Sequence, residues 1–113
     1  MNEQELTNKF YDFLEKEKNY PNKSLLRQSP AFSINGQRIQ PDLLILDTRI
    51  GEYIGLIEFK ENINPNVKKV VKIRIENYIK VLKNESLPYY LVFPLDSNDF
   101  QILTIGDENE WIS

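Results

Sequence analysis

The sequence predicts a mixed α/β domain, with helices covering the faces of one sheet. Three features carry the prediction. Apolar residues recur at helical spacing in two separated stretches, 3–18 and 66–84. Short apolar runs rich in β-branched and aromatic residues (LLIL, YIGLI, YYLVF, FQILTI) lie between and after them, bounded by Gly, Pro, Asn and Asp. The resulting order, one helix, three strands, a second helix and two strands, suits an α+β mixed sheet. At 113 residues, 41% of them apolar, the chain supports one domain with a single core.

In the first helix, Leu6, Phe10, Phe13 and Leu14 share one face at roughly 100° per residue. Glu3 and Glu17 fall on that face, whereas Glu5 and Glu15 point away. A carboxylate on an apolar stripe is costly without a partner. Glu17 is near enough to the helix end to reach water, and Glu3 sits in the first turn, where the helix dipole favours an anion. Glu3 therefore has two readings, a solvated first-turn acid or a side chain presented to a site.

Tyr20-Pro21-Asn22 ends the helix. Residues 24–34 read as a strand interrupted or edged by Pro30. Asn35-Gly36 is the strongest hairpin turn and returns the chain as QRIQ. The stretch PDLLILDTRIGEYIGLIEFK (41–60) then gives two strands joined at a turn containing Gly51.

Pro65 opens the second helix, which carries Val67, Val71, Ile75, Tyr78 and Leu82 on one stripe. Lys69, Lys72, Lys80 and Lys83 collect opposite. With Lys68 and Arg74 the helix holds six basic residues against Glu76 alone. Such a face is either solvated or a local track for an anionic partner. Residues 87–95 and 100–106 read as buried strands, and the tail DENEWIS places Trp111 over an edge.

Cys and His are both absent, which excludes a thiolate nucleophile, a disulfide framework, the usual zinc sites and imidazole acid–base chemistry. Oxygen ligands favour Mg2+, Mn2+ or Ca2+. With 14 basic and 17 acidic residues, net charge −3, a nucleic-acid partner needs a local basic surface. No run is long enough to span a bilayer, and MNEQELTNKF lacks the pattern of a secretory signal. No membrane partner and a cytoplasmic location are the expectations.

The chemistry concentrates on 41–60. Asp42 opens one strand directly after a proline, and Glu58 and Lys60 close the next with Phe59 between them. Alternation sends Glu58 and Lys60 to one face and Phe59 to the other, and adjacent strands lie about 5 Å apart. A register that aligns Asp42 with Glu58 makes a cluster of two carboxylates and an ammonium. Two such acids repel unless a cation separates them, so the cluster predicts a Mg2+ (or Mn2+) site. The Phe59 backbone carbonyl would lie within reach as a further ligand, and Glu3 would add a third carboxylate from the helix.

Pro41-Asp42, fifteen intervening residues and Glu58-Phe59-Lys60 together resemble the PD-(D/E)xK nuclease superfamily. The wording QRIQPDLLIL…GLIEFK, followed by a helix and YYLVFPL, is most similar to the N-terminal nuclease domain of type I restriction motor subunits. The resemblance implies a restriction-endonuclease-like α-β-β-β-α-β core. It implies a metal held by Asp42 and Glu58, Lys60 assisting the attacking water, and Glu3, followed three residues later by Leu6, as accessory ligand. Related nucleases carry Gln-x-x-x-Tyr on the second helix, whereas here the spacing gives Arg74 and Tyr78. Arg74 therefore stands for a phosphate contact or a supporting role, and Tyr78 for a core aromatic or a neighbour of the site. Lys69 and Lys72 are the candidate DNA contacts.

The function expected is a Mg2+-dependent DNA endonuclease of a bacterial or phage restriction, defence or DNA-processing system. Cutting a duplex calls for two active sites, which makes a homodimer or a larger restriction assembly the expected state. In this reading Asp42→Ala and Lys60→Ala abolish cleavage and leave the thermal melt nearly unchanged. The alternative is a non-catalytic member of the same fold, serving as a DNA-binding or protein-interaction module. An acidic DNA mimic is a third reading, against which the basic helix counts.

Overall fold

The computed structural model of the chain describes residues 1–27, 32–34, 37–105 and 110–112. Helix α1 (Glu3–Asp12) runs into a π-helical turn (Phe13–Glu17) and, after a short 3-10 turn, into β1 (Leu25–Arg27). Strands β2 (Phe32–Ile34), β3 (Gln37–Ile39), β4 (Leu43–Asp47) and β5 (Glu52–Phe59) precede α2 (Pro65–Leu82). Strands β6 (Tyr89–Pro94), β7 (Phe100–Ile105) and β8 (Trp111–Ile112) follow. Among the described residues, six strands form one sheet in the order β1-β4-β5-β6-β7-β8, and β2 and β3 pair apart from it. Only β5 and β6 are parallel within that sheet, with α2 as their crossover, so the sheet is mixed and the predicted α/β class holds.

Asn2 caps α1 by accepting the Glu5 N–H at 2.8 Å. Asn64 caps α2 in the same way, accepting the Val67 N–H at 2.9 Å, with Pro65 at the first helical position. Lys83, at φ 55°, turns the chain out of α2 in the left-handed conformation.

The sheet separates two layers of core. On one face Leu6, Phe10 and Leu14 pack with Leu25, Leu43, Ile45, Ile57, Phe59 and Val92. On the other, Val71, Ile75 and Ile79 pack with Leu44, Leu56, Leu87, Leu91 and Leu103. The alternation of β4 and β5 is thus visible residue by residue, odd positions of β4 toward α1 and even ones toward α2.

Three expectations change. The first helix is α-helical only to Asp12; the wider turn that follows lets adjacent Phe13 and Leu14 both pack on the α1-side core, with Phe13 edge-on to Phe100 at 5.3 Å. The strand read over 24–34 is two, β1 in the main sheet and β2 with β3 outside it. Pro30 and the turn expected at Asn35-Gly36 lie outside the described residues; Ile34 pairs with Gln37. Trp111, read as an edge cover, belongs to β8 itself: it pairs with Ile105, and its indole N–H donates to the Lys68 carbonyl at 2.9 Å.

The β4–β5 hairpin turns through Gly51 at φ 69°, a conformation glycine adopts without steric cost. Its ladder shifts between Ile45 and Leu46, which face Gly55 and Tyr53, leaving Ile54 as an extra, bulged residue. No helix among the described residues is long and apolar enough to cross a membrane.

Candidate metal centre

The register Leu43↔Ile57 continues outward to set Asp42 opposite Glu58 and Pro41 opposite Phe59. Asp42 has the parity of Leu44, and Glu58 that of Leu56, so both acids lie on the α2 side of the sheet. Pro41 has no N–H to give the ladder. Beyond the last ladder pair, Leu43 with Ile57, the Asp42 carboxylate supplies a side-chain acceptor, its Oδ2 taking the Phe59 N–H at 2.8 Å. Phe59 points the other way, into the α1-side core, where its ring meets Phe10 edge-on at 5.6 Å.

Glu58 is 1% exposed. Burial first, then a hydrogen bond with the Asp42 carboxylate and the negative charge of Asp42, push its carboxyl up to about 9, against a smaller downward pull from Arg74 and Lys60. At neutral pH Glu58 is therefore protonated, and its proton joins the two carboxyls. Its Oε1 is buried without a hydrogen-bond partner. An orphaned buried acceptor costs about 1–3 kcal/mol, so this oxygen is held where a donor or a cation would relieve it.

Lys60 is half-buried on the same side, and its backbone N–H donates to the Val92 carbonyl at 3.0 Å, extending the parallel ladder by one step. Tyr78 is half-buried and packs against the α2-side core; burial first, then the charge of Glu58, raises its phenol above the ordinary range, which keeps it a hydrogen-bond donor. The charges of Arg74 and Lys60 thus bear on Glu58, and the acid pair in turn bears on Tyr78. Lys72 forms an ion pair with Glu76 at 3.6 Å, and Lys69 is exposed.

A pocket of about 450 Å³ opens beside Asp42, lined by Glu3, Gln4, Thr7, Arg27 and Asp42. Glu58 is not on its wall, so Asp42 is the member of the pair that meets solvent. Glu3 shares this pocket with Asp42, but no group of three or more acids among the described residues converges to hold an ion. The third ligand expected of Glu3 lies on the pocket wall rather than in the pair. Two carboxylates completed by water are nonetheless a fitting donor set for Mg2+, and the orphaned Glu58 oxygen marks the place.

Two results go beyond the sequence reading. Asp42 is tied into the fold through the Phe59 N–H and Glu58, so Asp42→Ala should orphan both groups and lower the melt, a different prediction from the unchanged melt expected on sequence alone. The pocket also contains Arg27, which sequence reasoning passed over because a single arginine at the end of a three-residue strand has no periodicity or motif. Its register, opposite Leu43 and so one position from Asp42, was the available signal. Comparison of the chain with protein-family models, curated proteins and solved structures finds no match.

Proposed function

We propose that the protein is a divalent-metal-dependent nuclease of the PD-(D/E)xK type, with a restriction-endonuclease-like core, hydrolysing DNA phosphodiesters. One observation supports this reading above the rest. A buried Glu58 with an unpartnered oxygen is pressed against Asp42 at the rim of an open polar pocket, with Lys60 alongside. A purely structural carboxyl pair has no use for the pocket or the orphaned acceptor. Asp42 and Glu58 would hold the cation, which when bound supplies Lewis-acid polarisation of a phosphoryl oxygen and a more acidic water. Lys60 orients the attacking water and offsets charge building on the phosphoryl oxygens. Arg74 supplies further positive potential behind the pair, and Tyr78 closes the α2 side.

The test is cleavage of labelled DNA with Mg2+ or Mn2+. Asp42→Asn keeps an acceptor for the Phe59 N–H while removing the charge. It and Lys60→Ala are each expected to lower the rate by about 10²-fold or more, the scale of losing a group that handles the reacting water. Both should remain folded by thermal melt. Full activity in folded Lys60→Ala removes Lys60 from the mechanism, and inactivity of the unmodified protein with either ion removes the nuclease reading.

The second reading is a non-catalytic module of the same fold. Favouring it are the near-complete burial of Glu58 and the position of Glu3 outside the pair. In that reading the shared proton is the permanent occupant of the site.

A further inference from the structure

Beyond the carboxyl pair, Arg27 is the cation that lines the pocket next to Asp42 among the described residues. Arg27 ends β1 directly opposite Leu43, which fixes its backbone beside the start of β4. Its Nη2 donates to Asn8 Oδ1 at 2.9 Å, and its guanidinium lies over the Tyr11 ring at 5.2 Å. Tyr11 is itself anchored, its hydroxyl donating to the Asn22 side chain. Strand register, a hydrogen bond and a stacked ring thus hold a side chain that would otherwise sample many rotamers.

What this anchoring leaves open is informative. A guanidinium has five N–H donors in a rigid fork, and only one nitrogen is committed here. Glu3 and Asp42 line the same pocket, yet among the described residues Arg27 forms no ion pair with either. A fixed, unneutralised fork is complementary to two oxygens of a phosphate, which it can take bidentately with its ordering cost largely met in advance. Gln4 and Thr7 add polar lining to the same wall.

We infer that Arg27 is a substrate-orienting residue, binding the non-bridging oxygens of a nucleic-acid backbone phosphate in the pocket that Asp42 opens onto. The inference rests on the nuclease reading for the identity of the phosphate, and its test separates the two. A fluorescein-labelled oligonucleotide, single-stranded and duplex in parallel, is titrated with protein in Ca2+ across a salt series. Cleavage is measured separately with Mg2+ and Mn2+. Arg27→Gln, which retains a donor toward Asn8 and a stem over Tyr11, should weaken binding roughly 10-fold to 100-fold, the size of one charge-assisted contact. It should also lower the slope of log affinity against log salt by about one. In cleavage it should raise KM more than it lowers kcat. Asn8→Ala, which loosens Arg27 without touching the pocket wall, should show the same effects more weakly.

If Arg27 merely fastens α1 to β1, both variants lower the melting temperature and leave affinity, salt slope and KM as they were. That result overturns the inference and leaves the nuclease reading standing. Oligonucleotide binding that depends on Arg27, in a protein that cuts nothing with either ion, sustains Arg27 and sinks the nuclease. Failure of the folded, unmodified protein to bind oligonucleotide at all overturns the inference as well.

Discussion

Moving the Glu58 carboxyl from water to a site beneath α2 removes the solvation of its charged form, and the two nearby cations do not offset that loss. Its folded value near 9 therefore lies well above the ordinary 4.5. The folded state binds this proton more tightly than the unfolded chain does. The stability it confers is complete below the ordinary value and is lost as pH rises through the folded one. Between those limits one proton gives a slope of at most about 1.4 kcal/mol per pH unit. In metal-free buffer the melting temperature should fall from pH 5 to pH 9, and Glu58→Gln, a permanent neutral mimic, should flatten the profile. Equal slopes in both proteins would assign the titration to another group. A divalent ion must displace the same proton, so Mn2+ affinity should rise with pH over this window, by up to about tenfold per unit. The sequence announced Asp42, Glu58 and Lys60 through their positions at strand ends. It could not announce protonation, which depends on how far α2 covers Glu58, nor the Asp42 bond to the Phe59 N–H, which depends on where the β4–β5 register ends.

The helices show which patterns survive translation into packing. In α2 the stripe through Val71 and Ile75 is fully buried, whereas Ile73 is 58% exposed and Val70 47% exposed on the outward side. Burial predicts different costs for the same chemistry. Ile75→Ala should destabilise the protein by about 2–5 kcal/mol in urea unfolding, and Ile73→Ala by no more than about 0.5 kcal/mol. Similar losses at both positions would mean that the outward face is covered in solution. This stripe was legible because helical period and burial coincide over five turns. The same was true of β4 to β7, whose apolar runs are long and bounded by turn residues. The first helix was legible only as far as Asp12, since widening into a π turn is decided by how Phe13 and Leu14 meet the rings of Phe10 and Phe100. The division of residues 24–34 was hidden for another reason: Leu25–Arg27 and Phe32–Ile34 have similar composition, and only their partners, β4 and β3, distinguish them.

At the scale of the molecule, the carboxyl pair and α2 depend on one another, because the acids lie where β4 begins and β5 ends and the helix that covers them is the crossover leading to β6. An ion bound only by the folded chain stabilises all of it. At a free concentration a hundredfold above the dissociation constant the gain is about 2.7 kcal/mol. Titration with Ca2+ or Mn2+ should therefore raise the melting temperature of the intact protein, an effect that Glu58→Gln should lose. No response at millimolar concentrations, with or without DNA, would favour the non-catalytic module. Charge is distributed on the same scale: an acidic chain, net −3, sets five of its ten lysines along α2 and its C-cap, on the same helix as Arg74. The bulged Ile54 has a consequence for handling the protein. The register shift it marks falls in the distal half of the hairpin, and from Ile45 with Gly55 to Leu43 with Ile57 the pairing is regular. The bend at residues 48–51 lies roughly 20 Å along β5 from Glu58. A short reporter peptide grafted there should leave the acids at the other end undisturbed, giving a fluorescent handle for following binding at that end.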